Sequence, residues 1–134
     1  MRVRIHFVLM FCLLACGGCK KSKSTDELIV DLKSSQEKDR IIAVRLLQER
    51  RGDAAKVVPA MIGALKDKSH DSRLSAVIGL GYFGDQARDA IPALERIAKS
   101  DNDARIREQA GIALSRIDPA RFPPPSPSRT AAKK

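Results

Sequence analysis

The chain has 134 residues and a formal charge of +9, is poor in aromatic residues and contains no Trp. That length allows at most one compact domain with extensions. The basic excess sits at the two ends: residues 1–25 hold five Lys/Arg and no acid, and residues 118–134 hold four against Asp118. Residues 26–117 are nearly balanced, with 16 basic and 15 acidic side chains. A phosphate-binding face needs basic side chains clustered without interleaved acids, so this central part excludes a nucleic-acid partner. Cys12, Cys16 and Cys19 all lie in the first twenty residues, which leaves no disulfide or thiolate cluster for the rest.

Residues 1–15 read as a secretory signal. Arg2 and Arg4 are basic, Ile5 to Ala15 is apolar apart from His6, and small residues follow. Eleven apolar residues span about 16 Å as a helix, half of a hydrocarbon core, so the stretch is too short to cross a membrane. Leu13-Leu14-Ala15-Cys16 resembles the bacterial lipoprotein box. The resemblance implies cleavage ahead of Cys16, with lipid on its thiol and its new amine. Cys19 is the second choice, because Cys16 would occupy its Leu position. Two readings stand beside this one, a Cys16-x-x-Cys19 redox pair and a secreted protein with no lipid. Two or more acyl chains anchor a protein stably. Lys20, Lys21 and Lys23 of the basic linker, residues 16–25, would then lie at anionic headgroups. In a cell with two membranes, Gly17 rather than Asp after the Cys leans towards the outer one, facing the periplasm.

From residue 26 the chain repeats itself. Asp26, Pro59 and Pro92 are evenly spaced, and each opens a short apolar-periodic segment: DELIVDLK, PAMIGALK, PALERIAK. A polar break and a longer periodic segment follow each one. In the longer segments Arg40, Arg73 and Arg107 correspond, as do Ala43, Ala76 and Ala110. The spacing predicts three helix pairs over 26–58, 59–91 and 92–118, an all-α chain with no alternating, strand-like segment. Ser24 to Glu27 form a capping box for the first helix. Pro59 and Pro92 suit first turns, Asp71 and Asp103 suit N-caps, and Gly52 and Gly84 suit helix ends. The expected core faces are Ala43/Leu46/Leu47, Ala76/Val77/Leu80/Phe83 and Ala110/Ala113/Leu114/Ile117 on the longer helices. Leu28/Ile29/Leu32, Met61/Ile62/Leu65 and Leu94/Ile97/Ala98 are expected on the shorter ones.

The pattern Arg73-x-x-Ala76-Val77-x-Gly79-Leu80-Gly81-x-Phe83-Gly84, with Pro59-Ala60-x-x-x-Ala64-Leu65-x-Asp67 before it, resembles HEAT repeats of the phycobilisome-lyase type. The resemblance implies an α-solenoid whose second helices line the concave side. It also implies a protein–protein scaffold or adaptor, with an accessory subunit of an enzyme complex as the alternative. Lyase chemistry maps onto no residue here, and the His-Glu pairs that hold iron in some HEAT-repeat hydroxylases are missing.

Gly79-x-Gly81-x-x-Gly84 after Ala76-Val77-Ile78 also resembles a dinucleotide-binding turn, with Asp101 at the ribose spacing. Pro92 falls inside the helix that such a turn requires, and no second strand precedes Asp101. Small residues that let neighbouring helices pack closely account for the glycines better. No catalytic constellation is visible, and His70 stands alone in a break. The expectation is therefore a non-enzyme with no cofactor, metal or small-molecule substrate.

Two sets of residues remain. Arg40, Arg73 and Arg107 are expected to pair with Asp39, Asp71 and Asp103, or with neighbours in adjacent repeats, as a structural ladder; partner binding is the other reading. Leu74, Ile78 and Tyr82 fall opposite the face built by Val77 and Leu80, and Ile41 and Ile112 occupy matching positions in the flanking copies. This second apolar stripe is either a partner groove or additional core. After Ile117, residues 119–134 carry five prolines, which oppose helix and favour an extended tail. Pro124-x-x-Pro127 matches a proline-motif ligand, but the expected reading of residues 119–134 is a disordered, Pro-rich tail.

Overall fold

A computed structural model describes residues 22–124. The signal segment, Cys16, Cys19 and the tail from residue 125 lie outside the described residues. Six α-helices occur among them: α1 Thr25–Asp31, α2 Glu37–Leu47, α3 Ala54–Ala64, α4 His70–Phe83, α5 Ile91–Ser100 and α6 Ala104–Ile117. The described residues contain no strand. The protein is a short all-α solenoid of HEAT-like helix pairs. α2, α4 and α6 form one row, in which α4 packs against α2 on one side and α6 on the other. α1, α3 and α5 form the second row, each held against the helix that follows it.

Local chemistry explains most of the boundaries. Ser24 and Glu27 close a reciprocal capping box: the Ser24 Oγ accepts the Glu27 amide at 3.3 Å and the Glu27 carboxylate accepts the Ser24 amide at 2.7 Å. Asp103 caps α6 by accepting the amides of Arg105 and Ile106 at 2.7 and 3.1 Å. Its carboxyl is held below the ordinary range by the Ile106 amide first, with help from the Arg105 amide and His70. At the N-terminus of α4 the cap is Ser69, whose Oγ accepts the Ser72 amide. Asp71 lies inside the first turn instead, where its charge still favours the helix dipole. Gly84 ends α4 at φ 57°, a conformation that a side chain would strain. Gly52 lies in a 3₁₀ turn, Arg51–Asp53, beyond the end of α2.

The helix expected to open at Pro59 begins five residues earlier, at Ala54. Val57 and Val58 are buried, and this burial extends α3 backwards through its own Pro. Pro59 and Ala55, whose carbonyl loses its donor, are both exposed residues. One repeat later Ala87, Ala90 and Ile91 fill the corresponding buried positions, but the chain there is a 3₁₀ segment, Gly84–Ala90. Pro92 consequently stands in the first turn of α5, as its spacing predicts.

The core runs through the stack without interruption, from Leu28 through Leu47, Met61, Val77, Leu80, Leu94 and Ile106 to Ile117. One expected core residue is misplaced. Leu46 is 39% exposed and Val44 is buried in its stead. α2 is the first helix of its row and has only α4 beside it there, so no helix covers Leu46.

Gly79 and Gly81 of the glycine motif lie within α4, and Gly84 caps its end. A Cβ on Gly81 would stand 3.1 Å from the Ala113 Cα and 3.2 Å from its Cβ, and one on Gly79 would meet the Met61 Cε at 2.2 Å. These glycines let α4 approach α6 and α3. The helical backbone through Val77 removes the strand on which a dinucleotide turn depends.

Candidate functional site

The arginines at matching repeat positions make the same structure three times. Arg40 Nη1 donates to the carbonyls of Ser34 and Ser35 at 2.9 and 3.2 Å. Arg73 Nη1 donates to those of Asp67 and Lys68 at 3.0 and 3.3 Å. Arg107 Nη1 donates to those of Asp101 and Asn102 at 2.7 and 3.3 Å. Each guanidinium thus ties down the break preceding its own helix, and in Arg40 and Arg73 the Nε–Nη2 edge points on towards the next unit.

That edge takes an aspartate from the following break, not the neighbouring acids Asp39, Asp71 and Asp103. Arg40 grips Asp67 with both nitrogens, at 2.7 and 3.0 Å. Arg73 holds Asp101 more loosely, at 3.2 and 3.5 Å. An acid beside the arginine in sequence cannot reach an edge that points along the stack. Asp39 accepts the Ser34 hydroxyl, while Asp71 and Asp103 flank His70 at 2.8 and 3.0 Å. His70 therefore bridges two breaks instead of standing alone in solvent.

Asp67 is almost completely covered, as is Arg40. Burial opposes its ionisation. The Arg40 guanidinium, the Ser69 amide and the Ser72 hydroxyl outweigh that and hold its carboxyl below the ordinary range. Burial likewise opposes ionisation of Asp101, and the Asp103 amide and Arg73 overcome it. A buried ion pair with all its hydrogen bonds satisfied fixes geometry more than it adds stability. Here the pairs join each unit to the next.

The second apolar stripe lies on the outer side of the α2–α4–α6 row. Leu74, Ile78 and Tyr82 line a groove of about 660 Å³. Its rim is basic: Arg45 from α2, Arg51 from the following turn and Arg105 from α6, against the single acid Glu49. Leu74 is buried at the floor, Ile78 is half-buried against the core, and Tyr82 is 48% exposed. Arg116 stacks over the Tyr82 ring at 5.3 Å. The groove therefore combines an apolar floor, an aromatic anchor and flanking cations, drawn from all three repeats.

The remaining stripe residues are brought near this groove or set apart from it. Ile41 lines an adjoining recess with Ile42 and Arg45, and Arg45 is shared with the groove. Ile112 lies elsewhere, in a recess with Phe122 and Arg107. Phe122 itself packs on the core, so ordered packing continues past the expected boundary at 118. The Arg/Asp recurrence one repeat apart could have revealed Asp67 and Asp101 as partners. The rim residues Arg45, Arg51 and Arg105 carry no periodic signal, and only the packing of the row assembles them.

No curated protein matches the chain. The family described as HEAT repeats matches residues 25–115, well over half of the chain. Its span runs from the start of α1 into the last turn of α6 and includes both Arg–Asp pairs, and the chain belongs to the HEAT-repeat family.

Proposed function

We propose that this protein is a membrane-tethered HEAT-repeat scaffold or adaptor that holds a protein partner in the groove across α2, α4 and α6 and is itself non-catalytic. The observation that carries this reading is the strip Leu74–Ile78–Tyr82. It leaves an aromatic ring exposed on a helix whose other apolar side chains are buried or, at Ile78, half-buried. Aromatic and arginine side chains at the centre of a recess dominate the energy of protein interfaces. The basic rim selects a partner segment with an apolar anchor and acidic flanks.

The tether is the lipid on Cys16, with Cys19 as second choice, and the basic linker places the repeats just off the membrane, at the outer membrane where a cell has two. Support comes from the lipoprotein-like Leu13-Leu14-Ala15-Cys16 in the sequence. Mass spectrometry of the mature N-terminus purified from membranes tests it. The expected product begins at an acylated Cys16, and an unmodified N-terminus rules the tether out.

A photo-crosslinking residue placed at Ser75 in the groove, compared with one at Ala60 on α3, tests the docking surface. A discrete adduct from position 75 that disappears in Ile78→Arg supports the groove; adducts from position 60 alone overturn it. A catalytic partner that stays bound in constant ratio through detergent purification would make the chain an accessory subunit of an enzyme complex.

A further inference from the structure

The three arginine forks are built alike, but only two are closed. Asp67 fills the first and Asp101 the second. Among the described residues, nothing fills the Nε–Nη2 edge of Arg107. Its Nη1 is nevertheless anchored on the Asp101 and Asn102 carbonyls as in the other two. The guanidinium is thus held in position for a bidentate carboxylate, with much of the ordering already done by the chain.

All sixteen acids of the sequence lie within residues 26–118, and residues 1–21 and 125–134 contain none. Neither undescribed segment can therefore supply a side-chain carboxylate. A second copy stacked in repeat register cannot supply one either. The position of Asp67 and Asp101 is occupied in the first repeat by Ser34, whose Oγ accepts the Gln36 amide as those aspartates accept the amides of Ser69 and Asp103. A head-to-tail copy would offer the fork a hydroxyl.

Beside Arg107 lies a recess of about 470 Å³, with Ile112, Leu114 and Phe122 among its walls. At both internal junctions the carboxylate comes from the turn immediately after the first helix of the next unit, α3 or α5, while that helix packs on the stack.

We propose that this end of the solenoid is a second docking point, taking from a different protein an aspartate that follows an amphipathic helix. The carboxylate closes the Arg107 fork, and apolar side chains of the helix enter the recess at Ile112 and Phe122.

A hydrocarbon-stapled peptide copying residues 91–103, IPALERIAKSDND, serves as the probe, because it presents an aspartate in the same way as the internal junction does. Titrated into the full 134-residue chain, it is expected to shift the Nε–Hε resonance of Arg107 and leave those of Arg40 and Arg73 in place. The peptide carrying Asp101→Asn is expected to bind at least about tenfold more weakly, in line with the loss of a charge-assisted bidentate pair. Arg107→Lys in the protein keeps the charge, removes the fork and is expected to weaken binding by a similar factor. If that variant does not fold by circular dichroism, the Asp/Asn peptide pair decides alone. An unmoved Arg107 resonance at millimolar peptide, or equal binding of the two peptides, overturns the proposal. So does concentration-dependent self-association of the wild-type chain that Arg107→Lys abolishes, since the occupant would then be a second copy.

Discussion

Replacing Asp67 by Asn keeps the size of the side chain and removes its charge. It leaves the Arg40 guanidinium almost fully covered, with its Nε–Nη2 edge facing a neutral amide. Breaking a buried pair from one side costs about 3–5 kcal/mol, and the Asn oxygen retains one acceptor, so the lower end applies, about 3 kcal/mol. A domain of this size loses about 5 °C in Tm per kcal/mol, giving a fall of about 15 °C. The equivalent change at Asp101 is milder. Its bonds to Arg73 are longer and Arg73 is 20% exposed, so water takes over part of the lost interaction. About 1 kcal/mol, or roughly 5 °C, is expected there. Thermal denaturation of Asp67→Asn and Asp101→Asn by circular dichroism gives both numbers. Replacing both members of the first pair, Arg40→Met with Asp67→Leu, is expected to lose less than Asp67→Asn alone, because no uncompensated charge remains. Equal losses at the two aspartates, or a double variant worse than the single, would refute a role for burial in the ladder.

Gly81→Ala forces α4 away from Ala113 and is expected to destabilise by about 1–2 kcal/mol in urea unfolding. Gly63→Ala and Gly111→Ala meet nothing within 4 Å and are expected to stabilise by about 0.5–1 kcal/mol through helix propensity. The acid limb of stability follows from Asp67, Asp101 and Asp103, whose folded carboxyls all lie below the ordinary value. Unfolded, they titrate near pH 4, so between that pH and their lower folded values the unfolded chain holds more protons. Stability is therefore complete above about pH 5 and is lost as pH falls through the folded values. Urea midpoints measured from pH 7 to pH 2 check this, with Asp67→Asn giving a shallower decline.

The repeat was legible because one physical constraint operates three times. A helix pair buries its apolar face only by stacking, so Ala43, Ala76 and Ala110 recur in register and all are buried. Legibility failed where that constraint is relaxed or satisfied in another way. Pro59 suggested a helix start, but Val57 and Val58 carry the helix back past it, and a proline on the exposed face of a helix is tolerated. Leu46 matched the apolar period yet lies on the first helix of its row, where the next neighbour is missing. For the ladder, the sequence left open whether Asp39, Asp71 and Asp103 or acids of the adjacent repeats take the arginines. The direction in which each arginine is held decides the partner, and that direction is set by carbonyls five and six residues back. The stripe Leu74–Ile78–Tyr82 could be read from helical spacing. Its basic rim could not, because Arg45, Arg51 and Arg105 come together only when α2, α4 and α6 lie side by side.

The groove is tested most directly by comparing two exposed apolar side chains. Val30 on α1 is 69% exposed and Tyr82 is 48% exposed, so indiscriminate adhesion would favour Val30. Affinity for the partner crosslinked through position 75, measured by calorimetry, is expected to fall about 30-fold in Tyr82→Ala, about 2 kcal/mol for a central aromatic anchor, and to change less than about twofold in Val30→Ala. Equal losses in the two variants, or a loss in Val30→Ala alone, would contradict docking in the groove.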